Sequence, residues 1–147
     1  MMPTGPRSTV LVIDDDPEER AAMRGLLTDA GYDVVEASDG KNAMHYLTAN
    51  LPEPALIVAD LVMPDMSGWE LITILQAYVR LAGIPVLVVS GADLDLFPIR
   101  EEAVLEYFSK PLDAEKFLAA VKRHALTPAQ RDARQHAALL HRDRLRF

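Results

Sequence analysis

Four stretches of the chain hold residues that could do chemistry together. Asp14, Asp15 and Asp16 follow the apolar run Val10–Ile13, and Asp60 follows Leu56–Ala59. Ser90 and Gly91 close the run 85–89, and Lys110 and Pro111 follow the run 104–108. Carboxylates crowded together raise each other's pKa unless a cation joins them. A hard-oxygen set without His or Cys suits Mg²⁺ or a similar divalent ion such as Mn²⁺. A hydroxyl and an ammonium beside that ion make a place for a phosphoryl group, since the lysine and the metal offset its charge. An aspartate in such a place can be the nucleophile and become an aspartyl-phosphate.

Convergence of these residues depends on the elements between them. The apolar runs are continuous instead of alternating, the pattern of strands covered on both faces. A further run is Val34-Val35. Helical patterns lie between the runs. The first opens with Asp16 as N-cap, Pro17 at the first position and Glu19 completing a D-x-x-E capping box, and stops at Gly31. The second follows Ser38-Asp39-Gly40 and ends before Pro52; the third runs from about Ser67 to Tyr78; another starts near Ala114. Five strands alternating with helices imply a parallel sheet with right-handed crossovers. In an open sheet of this kind the site lies at the carboxyl ends of the strands, where these acids, Ser90 and Lys110 fall.

Composition bounds the alternatives. The chain has 147 residues, half of them hydrophobic and a quarter charged, the profile of one soluble domain with a tail. With 15 Lys+Arg against 22 Asp+Glu, the net charge is -7. That argues against direct DNA binding, which needs a basic face. Zero cysteines exclude disulfide frameworks, Cys-zinc sites and thiol catalysis. Residues 1–9 read as a flexible leader without the apolar core of a secretory signal. No apolar run is long enough to span a membrane. A cytoplasmic location is expected. Residues 126–147 form a separate basic segment, with Thr127-Pro128 as a helix start. It holds five arginines and two aspartates, +3, which leaves -10 on the first 125 residues.

The motifs VLVIDDDPEE (10–19), LIVADLVMPDMSGWEL (56–71), VLVVSGAD (86–93) and YFSKP (107–111) resemble the receiver domain of two-component response regulators, including single-domain chemotaxis regulators. The resemblance covers about residues 10–124, and steps of 45, 30 and 20 residues separate Asp15, Asp60, Ser90 and Lys110. It implies a flavodoxin-like, doubly wound sheet of five parallel strands in the order 2-1-3-4-5. It implies roles as well. Asp60 would be the phosphoacceptor. Asp15 would bind Mg²⁺ directly, and Asp14 through water or as a second acid. Val62 would offer its backbone carbonyl to the metal. Lys110 would pair with phosphoryl oxygens, and its bond to Pro111 is a candidate cis peptide. Ser90 would turn toward the phosphoryl group, Gly91 would leave the space open, and Tyr107 would be the aromatic that moves inward with Ser90.

Plainer roles account for other residues. The capping box explains Asp16, and a turn after Pro64 explains Asp65. Met63 and Trp69 read as packing or surface residues. None of His45, His124, His136 and His141 has ligand-like companions, so they read as surface residues. One stretch departs from the family's pattern. Residues 93–103 are acidic, interrupted by Pro98 and short, so the fourth helix is expected to be short, displaced or mobile.

The expected function is a switch in which a histidine kinase or phosphotransfer protein phosphorylates Asp60 and the domain changes its choice of partner. It is read as a signalling phosphoacceptor and not as an enzyme. The 22 residues after 125 are too few for a DNA-reading domain, so the chain is expected to be a stand-alone regulator or a receiver cut from a longer one. A homodimer could form through the face of the fourth helix, last strand and fifth helix, or through the tail. The alternative is a pseudo-receiver that binds proteins without phosphorylation. A related phosphatase is disfavoured because Val62 stands where its second Asp would be.

Overall fold

The computed structural model describes residues 7–49, 53–93, 103–131 and 133. Five strands, β1 (Thr9–Ile13), β2 (Asp33–Ala37), β3 (Leu56–Ala59), β4 (Val86–Ser90) and β5 (Glu106–Ser109), alternate with helices α1 (Pro17–Asp29), α2 (Gly40–Thr48), α3 (Gly68–Ala77) and α4 (Ala114–His124). All strand pairs are parallel, in the order β2-β1-β3-β4-β5. The strand order reverses between β1 and β3, which is where such sheets open a crevice.

The continuous apolar runs have the two-sided cover that they imply. Alternate residues of the central strands enter two cores. Leu11, Ile13, Ile57, Ala59, Val86 and Val88 face α2 and α3, through Ala43, Leu47, Leu71 and Leu75. Val10, Val12, Leu56, Val58, Leu87 and Val89 face α1 and α4, through Met23, Leu27, Phe117, Ala120 and Val121. Phe108 and Phe117 meet edge to face, with ring centres 5.9 Å apart. Burial of this kind is the main force holding the strand ends in place.

Each helix begins where its sequence signal falls. Asp16, Asp39, Ser67 and Asp113 are the N-caps, and each accepts a backbone N–H from its own first turn. Gly31 follows α1 with φ +99°, the left-handed conformation that favours glycine at this position. The last strand differs from its apolar run. It covers Glu106–Ser109 instead of starting at Val104, because pairing with β4 begins at Leu87 opposite Glu106.

The expected irregular fourth helix falls on 94–102, outside the described residues; Ala103, just after it, is buried in the α2–α3 core. The tail is described through Arg131 and at Ala133. Its start is a reciprocal cap: Thr127 Oγ1 accepts from Gln130 N at 3.2 Å, and Gln130 Oε1 accepts from Thr127 N at 2.8 Å. Leu126 N donates to the Ala55 carbonyl at 3.0 Å, so this start is tied to the segment entering β3. Among the described residues, no helix is long and apolar enough to cross a membrane.

Candidate functional site

The structure brings Asp14, Asp15, Asp60, Ser90 and Lys110 to one rim of the sheet. Asp14 directly follows β1, Asp60 follows β3, Ser90 ends β4, and Lys110 follows β5. Carboxylate oxygens of Asp14, Asp15 and Asp60 lie within 4.8 Å of one another. Asp14 and Ser90 are fully buried and Asp60 is 7% exposed, whereas Asp15 faces solvent. Buried carboxylates this close to one another and without nitrogen or sulfur ligands are a donor set for a hard divalent cation.

Asp60 is held at both oxygens. Oδ1 accepts from Ser90 Oγ at 2.7 Å and from Val62 N at 3.1 Å. Oδ2 accepts from Lys110 Nζ at 2.8 Å. Val62 itself is exposed, so this contact uses the backbone and leaves its side-chain type free. The loop after β3 is shaped by Gly68. Its N–H donates to the Leu61 carbonyl at 2.9 Å, and a Cβ there would sit 1.8 Å from the Asp60 carbonyl oxygen. Within that loop Asp65 adopts φ 67°, a left-handed turn position that Asp tolerates. Met63 is buried and Trp69 packs against the same core, in line with their packing role.

Lys110 binds three carboxylates at once: Asp14 Oδ2 at 3.1 Å, Asp60 Oδ2 at 2.8 Å, and Glu19 Oε2. Burial works against the lysine's charge, but the hydrogen bonds to Asp60, Glu19 and Asp14 outweigh it and raise its pKa well above the ordinary lysine value. Burial pushes the Asp14 carboxyl up to about 6, only partly offset by hydrogen bonds from Asp16 N–H and Lys110. The Lys110–Pro111 bond is cis.

Tyr107 reaches the same strand end. Its hydroxyl donates to the Ala92 carbonyl and lies 3.3 Å from the Ser90 carbonyl. A Cβ at Gly91 would meet nothing within 4 Å, so the space beside Ser90 is open.

The capping box predicts a bond from Asp16 N–H to the Glu19 carboxylate, and the structure gives that N–H to Asp14 instead. Asp16 N–H donates to Asp14 Oδ1 at 2.9 Å, which leaves the Glu19 carboxylate to Lys110. His124 also differs from its surface reading. It is partly buried at the end of α4, with Nε2 2.6 Å from Glu106 Oε2. Nearby Arg123, foremost, and His124 hold Glu106 below the usual carboxylate range. His45 is exposed, and His136 and His141 lie outside the described residues.

The model of the response regulator receiver domain matches residues 10–122. The chain belongs to the response regulator receiver family. Relatives include the transcriptional regulatory protein KdpE of Mycobacterium tuberculosis, 33% identical over 115 residues, which cover 77% of this chain and 49% of that protein. Histidine kinase P4 of Formosa agariphila is 30% identical over 118 residues, 79% of this chain and 8% of the kinase. The chain thus spans half or less of either protein. A response regulator receiver protein from Pseudomonas putida has the same fold, with a TM-score of 0.71 and 31% identity over 82% of this chain and 99% of its own.

Proposed function

We propose that this receiver is a phosphorylation-controlled switch whose acceptor is Asp60. The supporting observation is the placement of Lys110 Nζ 2.8 Å from one Asp60 oxygen and Ser90 Oγ 2.7 Å from the other. The donor is a phosphohistidine on a histidine kinase or phosphotransfer protein. A carboxylate oxygen of Asp60 forms the new O–P bond as the donor's N–P bond breaks, and the electron pair leaves with the imidazole. Lys110 pairs with one phosphoryl oxygen, and the Ser90 hydroxyl turns to another. Asp14 stays fixed by Lys110 and Asp16 N–H.

Asp14, Asp15, Asp60 and the Val62 carbonyl would hold a divalent cation, Mg²⁺ or Mn²⁺, which when bound supplies positive charge against the carboxylates and the transferred group. Turning Ser90 alters the loop on which the Tyr107 hydroxyl rests, and this shifts the population of the surface that a downstream protein reads. The protein acts as a cytoplasmic signalling acceptor and not as a turnover enzyme. A phosphorylation-independent binding module is not favoured, because acceptor, acids and lysine are all in place.

Incubation with Mg²⁺ and acetyl phosphate tests the reading. Wild type should gain an acid-stable, base-labile phosphate, and Asp60→Asn should not. Equal labelling of both proteins, or none of wild type, would overturn it.

A further inference from the structure

The Lys110 ammonium has three N–H bonds, and three carboxylates take them. Asp14 and Asp60 belong to the site described above. Glu19 does not. It sits in the first turn of α1, with its side chain 43% exposed, against 0% for Asp14 and 8% for Asp60. Its expected partner, Asp16 N–H, is held by Asp14, and its carboxylate reaches across to the lysine instead. Glu19 and Lys110 share one groove with Met23, Leu26, Val89 and Leu112.

We propose that Glu19 is a positioning residue that holds Lys110 away from an incoming phosphoryl group, so that Asp60 is phosphorylated only as the lysine exchanges Glu19 for a phosphoryl oxygen. The inference rests on the phosphoacceptor reading of Asp60. Of the three partners, Glu19 is the one to leave. Releasing Asp14 would strand a charge in the interior, which is strongly unfavourable. Asp60 carries the new group and stays beside the lysine. Glu19 is exposed enough for water to replace the lysine around its carboxylate. It forms no bond to phosphorus and takes no proton. Its charge also acts at a distance, since a fourth carboxylate at the rim repels an anionic donor.

Both effects slow phosphorylation, and both depend on charge. Glu19→Gln keeps the length and the helix start but removes the charge. Glu19→Asp keeps the charge on a shorter stem. Initial labelling rates with acetyl phosphate and Mg²⁺, at low and at high salt, separate these cases. Glu19→Gln should label about threefold to tenfold faster than wild type at low salt, and the gain should shrink at high salt as screening sets in. Glu19→Asp should stay close to wild type. A Glu19→Gln rate at or below wild type, or a gain that salt leaves unchanged, would overturn the proposal while leaving Asp60 as acceptor. Absence of label on wild type and variants alike would remove the acceptor reading and the proposal with it.

Discussion

The Ser90 hydroxyl donates a 2.7 Å hydrogen bond to Oδ1 of Asp60, inside the protein and at the end of the neighbouring strand. The bond joins the candidate acceptor to a hydroxyl that is itself fully buried at the rim. Hydrogen bonds to a buried charge are among the stronger ones, because the alternative is a poorly solvated carboxylate. Ser90→Ala should therefore lower the unfolding free energy by about 1–2 kcal/mol in metal-free protein. Urea titration of the two proteins measures this, and an unchanged midpoint would show that Val62 N and Lys110 suffice to hold Asp60.

Asp14 sets a pH dependence. Its pKa rises on folding from the ordinary 3.8 to about 6, chiefly through burial. A raised carboxyl pKa means that the folded state binds the proton more tightly, so stability falls as pH rises between those two values and is level outside them. Without added cations, wild type should gain about 2–3 kcal/mol relative to Asp14→Asn as pH is lowered from 7 to 4. Thermal or urea unfolding at several pH values gives the difference. Saturating Mg²⁺ should flatten it, since a bound cation keeps the carboxylate ionised.

Cation binding should itself stabilise the fold. A ligand that binds only the native state contributes about 2.7 kcal/mol at a hundred times its Kd. Mg²⁺ or Mn²⁺ should raise the unfolding temperature of wild type, and Asp15→Asn should remove most of that rise. Asp15 faces solvent, so the substitution leaves the core intact. An equal rise in both proteins would place the cation elsewhere.

Two glycines make a paired test. Gly25 lies within α1 with nothing within 4 Å of an added Cβ, and Gly25→Ala should stabilise by about 0.5–1 kcal/mol through helix propensity. Gly68 is the first residue of α3, and its Cβ would lie 1.8 Å from the Asp60 carbonyl oxygen. Gly68→Ala should cost about 3 kcal/mol or more and slow labelling of Asp60, because the acceptor's own backbone must move. Denaturant midpoints and labelling rates check both.

Why some of this was legible in the sequence and some was not follows from range. The strand ends could be read because continuous Val, Ile and Leu runs stop at Asp14, Asp60 and Ser90, and the caps Asp16, Asp39 and Ser67 announce their helices locally. The same local logic points Glu19 to the wrong partner. A capping box predicts a bond to Asp16 N–H, and only the fold brings Asp14 and Lys110 close enough to compete. His124 and Glu106 are 18 residues apart on different elements, so no spacing rule pairs them. Gly68 stands out as a motif residue, but its reason is the packing of α3 against the Asp60 backbone.

Two hydroxyls from neighbouring strands converge on one span of three residues. Ser90 begins it, facing the acids, and the Tyr107 hydroxyl rests on the carbonyl of Ala92, which ends it. On the proposed reading, the acceptor's state and the ring that would carry it outward meet on this one span, joined among the described residues through backbone carbonyls. A partner that read the surroundings of Tyr107 could then vary its own contacts freely. The sender's side, built on β1, β3 and Lys110, need not change with it. Residues 90–92 would be the stretch that both share.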